Sequence, residues 1–154
     1  MIVDTKDLDI KINKKNLNKL IFLGKQIRKI INIKISKIKF NRKVPKKIPQ
    51  TLFFEKINNK TAKNFVTSDE LGFDRSPCGT GSCARLALLL QQGKIKKNQE
   101  YLQKSILNTS FKTRIIDISN NGDIIPEITG SAHITGLNRI FVDPKDKIKN
   151  GFFW

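Results

Sequence analysis

The period of the apolar positions changes several times along the chain, and each change predicts an element. From Asn16 to Ile31, Leu20, Ile21, Ile27 and Ile31 recur at helical spacing, with Leu17 and Leu23 beside them and lysines opposite, which predicts an amphipathic helix. Ile33, Ile35, Ile38 and Phe40 come close to alternation, interrupted at Ser36-Lys37, and predict a bulged strand over Ile33 to Phe40. Pro45 and Pro49 bracket a lysine-rich loop, after which Thr51 to Ile57 and Ala62 to Thr67 read as strands joined by a turn at Asn58-Asn59. Beyond Gly81, the run Ala84, Leu86, Ala87, Leu88, Leu89 and Leu90 has high helix propensity and stops at Gly93, so a buried helix is expected over Ser82 to Gln92. Strands are expected at Tyr101 to Leu107, Phe111 to Ile118, Asp123 to Ile128 and Arg139 to Val142, with Asn121-Gly122 turning a hairpin. The last residues, Phe152 to Trp154, are apolar and are expected to be buried against this domain or against a partner.

With 154 residues, 38% of them hydrophobic, the chain can build one ordinary core. No stretch approaches the roughly 18 to 20 uninterrupted apolar residues of a membrane span. Met1 to Asp9 carries three aspartates and no apolar leader, so a cytoplasmic protein without membrane attachment is expected. The net charge of +17 invites a nucleic-acid reading, but its distribution argues against one. Residues 1–66 hold 18 Lys/Arg against 4 Asp/Glu, residues 67–154 hold 12 against 9, and the excess is nearly all lysine dispersed among Ile and Asn. All three amino acids have A/T-rich codons, so base-composition drift explains the bias without phosphate binding. No helix-turn-helix signal, RNP-like aromatic run or zinc-finger spacing accompanies the charge, and a basic nucleic-acid-binding module remains the runner-up from another class.

The chemistry concentrates in Asp74-Arg75-Ser76-Pro77-Cys78-Gly79-Thr80-Gly81-Ser82-Cys83-Ala84-Arg85, between a strand and the buried helix. Gly79 and Gly81 allow a tight turn with close backbone approach, and the unpaired N–H groups of a helix start point toward an anion such as a carboxylate. The same N–H groups and dipole favour a thiolate, which makes Cys78 a candidate base. Polar Ser76, Thr80 and Ser82 surround Cys78, whereas Cys83 enters the greasy helix and reads as a small buried hydrophobe. Two cysteines five residues apart and a single His133 make neither a redox pair nor a metal site, and His133 itself reads as a strand residue within Ala132-His133-Ile134. The glycines match neither a P-loop nor a dinucleotide fingerprint, and no cofactor is expected. Asp74, complementing a carboxylate-binding helix start, would hold the ammonium of an amino acid.

This segment closely resembles the second catalytic segment of the proline racemase family, which includes hydroxyproline 2-epimerases. Ile125-Pro126-Glu127-Ile128-Thr129-Gly130-Ser131-Ala132-His133-Ile134-Thr135-Gly136, Phe141-Val142-Asp143-Pro144 and Gly151-Phe152 resemble that family's closing segments. The resemblance implies a cofactor-independent two-base inversion at Cα of proline or 4-hydroxyproline. It assigns one base to Cys78, the grip on the substrate amine to Asp74, and the backbone donors to the carboxylate to Gly79 and Thr80. Family members that dehydrate 3-hydroxyproline carry Thr at the position of Cys78, so the cysteine favours racemase or epimerase. The implied fold is α+β and diaminopimelate-epimerase-like, a curved mixed sheet around a central hydrophobic helix, with residues 1–130 as the second domain and residues 131–154 as a closing segment packing toward a first domain. The other base belongs to a Met-Cys-Gly-His-type segment in the family's first half. Nothing here matches it, since the sole Met is Met1. The chain is therefore expected to be the second half of a split, truncated or decayed enzyme, needing a separate first half or a homodimer, or surviving as a noncatalytic amino-acid binder. Lys104-Ser105-Ile106-Leu107-Asn108-Thr109 departs from the family pattern and hints at relaxed constraint.

Overall fold

The computed structural model describes residues 1–38, 47–70 and 72–151. Two crossovers organise it. Strand β1 (Ile2–Asp4) runs through two short 3₁₀ turns into helix α1 (Leu17–Ile35) and then into β2 (Gln50–Asn58), which lies parallel to β1. β3 (Thr61–Ser68) folds back antiparallel on β2 and continues through β4 (Gly72–Phe73) into helix α2 (Gly79–Gln91). β5 (Tyr101–Lys104) then returns parallel to β3, and β6 (Ser110–Ile118) and β7 (Ile124–Thr129) complete a mixed sheet in the order β1-β2-β3-β5-β6-β7. Both crossovers step across the sheet in the same direction, but β1 and β3 run oppositely, so the right-handed rule puts α1 and α2 on opposite faces.

Side-chain alternation agrees. Phe53 and Phe65 face α1, where they pack with Leu20, Ile10 and Ile12. Ala62, Tyr101 and Ile115 face α2 and pack with Leu86, Leu89 and Ile95, while Leu52 and Val66 meet Cys78. Because β2 and β3 are covered on both sides, Thr51–Phe53 and Asn64–Thr67 are buried at consecutive positions rather than alternate ones. Gly24 lets α1 sit close to the sheet: a Cβ there would collide with Thr67 Cγ2 and crowd Phe53 and Arg28 at 3.3 Å. Arg28 is 2% exposed, and its guanidinium donates to Thr67 O at 2.8 Å and to Asp69 at 2.6 Å. That hydrogen bond, aided by the charges of Arg28, Lys25 and Lys47, holds the Asp69 carboxyl below its ordinary value.

Several expectations need correction. α1 continues to Ile35, so Ile33 and Ile35 are helical, and Lys39 to Phe40 lie outside the described residues. Ile30, Ile33 and Ile38 are 53, 54 and 52% exposed; an isoleucine excess spread without regard to burial imitates strand alternation at a helix end. β5 stops at Lys104, because Ser105 to Thr109 form a turn in which Ser105 N–H donates to Thr109 O at 2.8 Å. The hairpin at Asn121-Gly122 forms, with Gly122 at φ 82°, and Pro126 is tolerated because β7 is an edge strand. Neither Arg139 to Val142 nor Ala132 to Ile134 is a strand: all of residues 131–151 are exposed and irregular, having no neighbouring strand to pair with. Pro45 and the burial expected for Phe152 to Trp154 fall outside the described residues. The sheet carries a helix on each face, and the coarse class, α+β with a mixed sheet, is what the chain adopts.

Candidate functional site

The loop between β4 and α2 is built as a ladder of side-chain hydrogen bonds. Asp74 N–H donates to Val66 O at 2.9 Å, anchoring the loop to β3. The Asp74 carboxylate accepts from both the backbone N–H and the hydroxyl of Ser76, each at 2.9 Å, through a single oxygen. The Ser76 hydroxyl in turn accepts the Cys78 N–H at 3.0 Å. Asp74 and Cys78 are thus tied through Ser76, and among the described residues both bonds to Asp74 fall on the same carboxylate oxygen.

Beneath the loop lies a buried polar network that sequence reasoning missed. Gln103, fully buried on β5, accepts from Asn64 at 2.7 Å and donates to Ser82 O and Thr113 Oγ1, both at 3.1 Å. Asn64 also donates to Pro77 O at 3.3 Å, and Thr113 donates to Tyr101 O at 2.8 Å. The network grips Pro77 and Ser82, the residues on either side of the turn that presents Cys78. The legible signal is a Gln at an inward position of a strand otherwise read as core, since such a group must find partners.

Cys78 precedes α2 with φ 66° and ψ 118°, a positive φ that costs a non-glycine residue about 1–2 kcal/mol. Its side chain gives α2 no cap hydrogen bond, and Ser82 N–H, bonded to Cys78 O at 2.9 Å, is the first in the helix to find a backbone acceptor. Among the described residues the N–H groups of Gly79, Thr80 and Gly81 therefore have no backbone acceptor, and Gly79 and Thr80 are exposed. The helix begins three residues earlier than the apolar run implied, which places these donors in its first turn. Cys78 is 8% exposed, packed against Leu52 and Val66 rather than lying in the wholly polar setting its neighbours in sequence suggested, with Sγ 3.5 Å from Thr80 Oγ1. Gly81 makes room for it: a Cβ there would collide with Leu52 and stand 3.4 Å from Cys78 Sγ.

The structure thus brings Asp74, Cys78, Gly79 and Thr80 to one end of α2. A cavity of about 530 Å³ adjoins Asp74, Ser76 and Phe73 but is not lined by Cys78, so these residues form an open wall rather than an enclosed pocket. Cys83 is part-exposed, correcting the expectation of full burial, and its burial pushes the thiol pKa up. His133 stands exposed in the irregular segment. Among the described residues no cluster of His, Cys, Asp and Glu could hold a metal, and no helix is long and apolar enough to cross a membrane.

Comparison with known proteins gives this wall its family: the model for proline racemase matches residues 1–153. The chain belongs to the proline racemase family. It is 37% identical to a proline racemase of Acetoanaerobium sticklandii over 98% of its own length and 47% of that protein. Over 59% of its length it is 43% identical to a probable 4-hydroxyproline 2-epimerase of Rhizobium meliloti. The hydroxyproline epimerase from Agrobacterium vitis, solved with trans-4-hydroxy-L-proline bound, superposes on 99% of the chain with a TM-score of 0.78 at 26% identity, the chain covering 45% of it. This proline racemase relative spans about half the length of the family members it matches.

Proposed function

We propose that this chain supplies one wall of a proline racemase or 4-hydroxyproline 2-epimerase, with Cys78 as one of two bases. The observation that carries the reading is the pair of N–H groups at Gly79 and Thr80, without a backbone acceptor among the described residues, beside a thiol held at the same helix start. The substrate carboxylate accepts from those N–H groups, and the other oxygen of Asp74 takes the ammonium or ring N–H. The Cys78 thiolate removes the Cα proton, breaking C–H and forming S–H, and an acid on the opposite face returns a proton to Cα with inverted configuration. Cys83 cannot be that acid, since it lies on the same helix and faces the groove near Ile124. The second acid comes from outside this sequence, from the half of the family length that it does not span.

The diaminopimelate-epimerase-like architecture belongs to the same proposal, with residues 1–130 as the second domain. Residues 131–154 close onto a first domain, in keeping with the exposure of Ile134, Leu137, Ile140 and Phe141. Two unpaired cysteines suit a reducing compartment, so we place the protein in the cytoplasm. A second reading, a noncatalytic amino-acid binder, draws on the single base within this chain. The deciding experiment mixes the chain with a separately expressed first half of the A. sticklandii proline racemase and follows Cα exchange of proline and 4-hydroxyproline in deuterated water. Exchange that is lost with Cys78→Ser and retained with Cys83→Ser is the expected result. A folded, associated pair that exchanges nothing leaves only the binder, and calorimetry with pyrrole-2-carboxylate then tests that reading.

A further inference from the structure

Arg85 is 3% exposed, on the sheet-facing side of α2, and takes part in no ion pair among the described residues. Its Cζ lies 3.6 Å from the centroid of the Phe54 ring. Stacking serves the face of the guanidinium and one in-plane donor reaches the Tyr101 hydroxyl, but the buried Nε has no hydrogen-bond partner. The charge of Asp4 reaches Arg85, but one Asp4 oxygen accepts the Lys6 N–H at 3.0 Å and no ion pair joins the two side chains. Burial pulls the Arg85 pKa down and pushes the Tyr101 pKa up, so this corner is poorly solvated and short of negative charge.

Arg85 lines a cleft of about 680 Å³ between α2 and strands β1, β2 and β5, on whose walls Lys56, Lys60 and Lys94 also stand. Against these four cations the lining offers two carboxylates, Asp4 and Asp7. The apolar surface of Phe54 and Leu88 completes it. An unpaired cation in a low-dielectric floor is destabilising until an anion meets it, and a guanidinium fork matches the paired oxygens of carboxylate or phosphate. We propose that this cleft is a binding site for a small oxyanion, held in the plane of Arg85 and flanked by the three lysines, separate from the Cys78 wall. It does not depend on the activity proposed above.

Tyr101 lines the cleft and is the only tyrosine in the chain, so its ring signals in a ¹H–¹³C NMR spectrum report on this site alone. Titration with inorganic phosphate, and separately with malonate, is compared with sodium chloride at equal ionic strength. A saturable shift of the Tyr101 signals with either oxyanion, absent in chloride, is expected, and the tighter of the two identifies the ligand class. Arg85→Lys keeps the charge but loses the fork, and should weaken the affinity about tenfold. Shifts that match those in chloride, or an Arg85→Lys protein that binds as tightly as the parent, would overturn the site. If Arg85→Lys does not fold, the surface double variant Lys60→Gln/Lys94→Gln decides: weaker binding supports the site and unchanged binding overturns it.

Discussion

Two arginines are buried in this fold, one beneath each helix, and the chain treats them differently. Arg28 under α1 finds a carbonyl and a carboxylate within 2.8 Å, whereas Arg85 under α2 finds an aromatic face and the Tyr101 hydroxyl and, among the described residues, no ion-pair partner. The helix starts are alike in lacking a side-chain cap, but α1 is entered through a 3₁₀ turn whose own cap, Asn13, accepts the Asn16 N–H at 3.0 Å, while α2 begins directly at Cys78. Each face keeps buried polar atoms without a hydrogen-bond partner, Arg28 Nε and Thr67 Oγ1 on one and Asn64 Oδ1 and Arg85 Nε on the other, but among the described residues only the α2-side arginine lacks an ion pair. Unmet valences of that kind are where a ligand can gain binding energy, and both candidate sites lie on the α2 side.

The sharpest way to break this contrast is to remove the support beneath the open helix start. Gln103→Leu conserves approximate volume but leaves Ser82 O and Thr113 without their donor and Asn64 without its acceptor. We expect a loss of about 3 kcal/mol in urea unfolding, with disproportionate broadening of NMR signals from Pro77 to Ser82. A loss below about 1 kcal/mol would mean that the network does not hold the loop.

On the closed side, Arg28→Met should cost about 2 kcal/mol, because Thr67 O loses its donor while Asp69, half exposed, regains water. The pH dependence sharpens this prediction. Since Arg28 depresses the Asp69 pKa, the contribution of that carboxylate is fully present above its unfolded value, about 3.9, and is lost as pH falls through the lower folded value. The stability gap between the parent and Asp69→Asn should therefore be constant near neutrality and close on acidification below about pH 4. A gap that widens in acid would contradict the pairing.

What could be read in advance follows the same division. Strong, locally encoded signals carried through: the amphipathic α1 stripe, the leucine run of α2, the Asn121-Gly122 hairpin and the segment from Asp74 to Gly81. The readings that failed depended on partners distant in the chain. Leucine-poor, isoleucine-rich stretches mimic strands wherever they occur, and at Ile33 the continuing helix overrides the alternation, while Arg139 to Val142 is exposed and irregular. Arg28, Arg85 and Gln103 escaped notice because a charged or amide residue inside a lysine-rich sequence looks like one more solvated side chain. Only the fold shows that a crossover has carried each of them inward. The likeness around Cys78 pointed to the family whose model matches the chain but could not show that Leu52 and Val66 cover the sulfur on one side.

The smallest predicted effect is also the most specific to the open helix start. In ordinary backbone, glycine is less stable than alanine by about 0.5–1 kcal/mol through its greater unfolded-state freedom. At φ 66° that order should invert, since alanine retains the positive-φ strain of about 1–2 kcal/mol and glycine does not. Both substitutions remove the sulfur from its contacts with Leu52 and Val66, so that loss cancels in the comparison. Cys78→Gly should therefore be more stable than Cys78→Ala by about 0.5–1 kcal/mol in parallel urea titrations, and both should lose the proton exchange expected of the parent. Alanine proving the more stable of the two would mean that residue 78 does not hold the positive φ, and the N–H groups of Gly79 and Thr80 would then no longer be aimed beside the thiol.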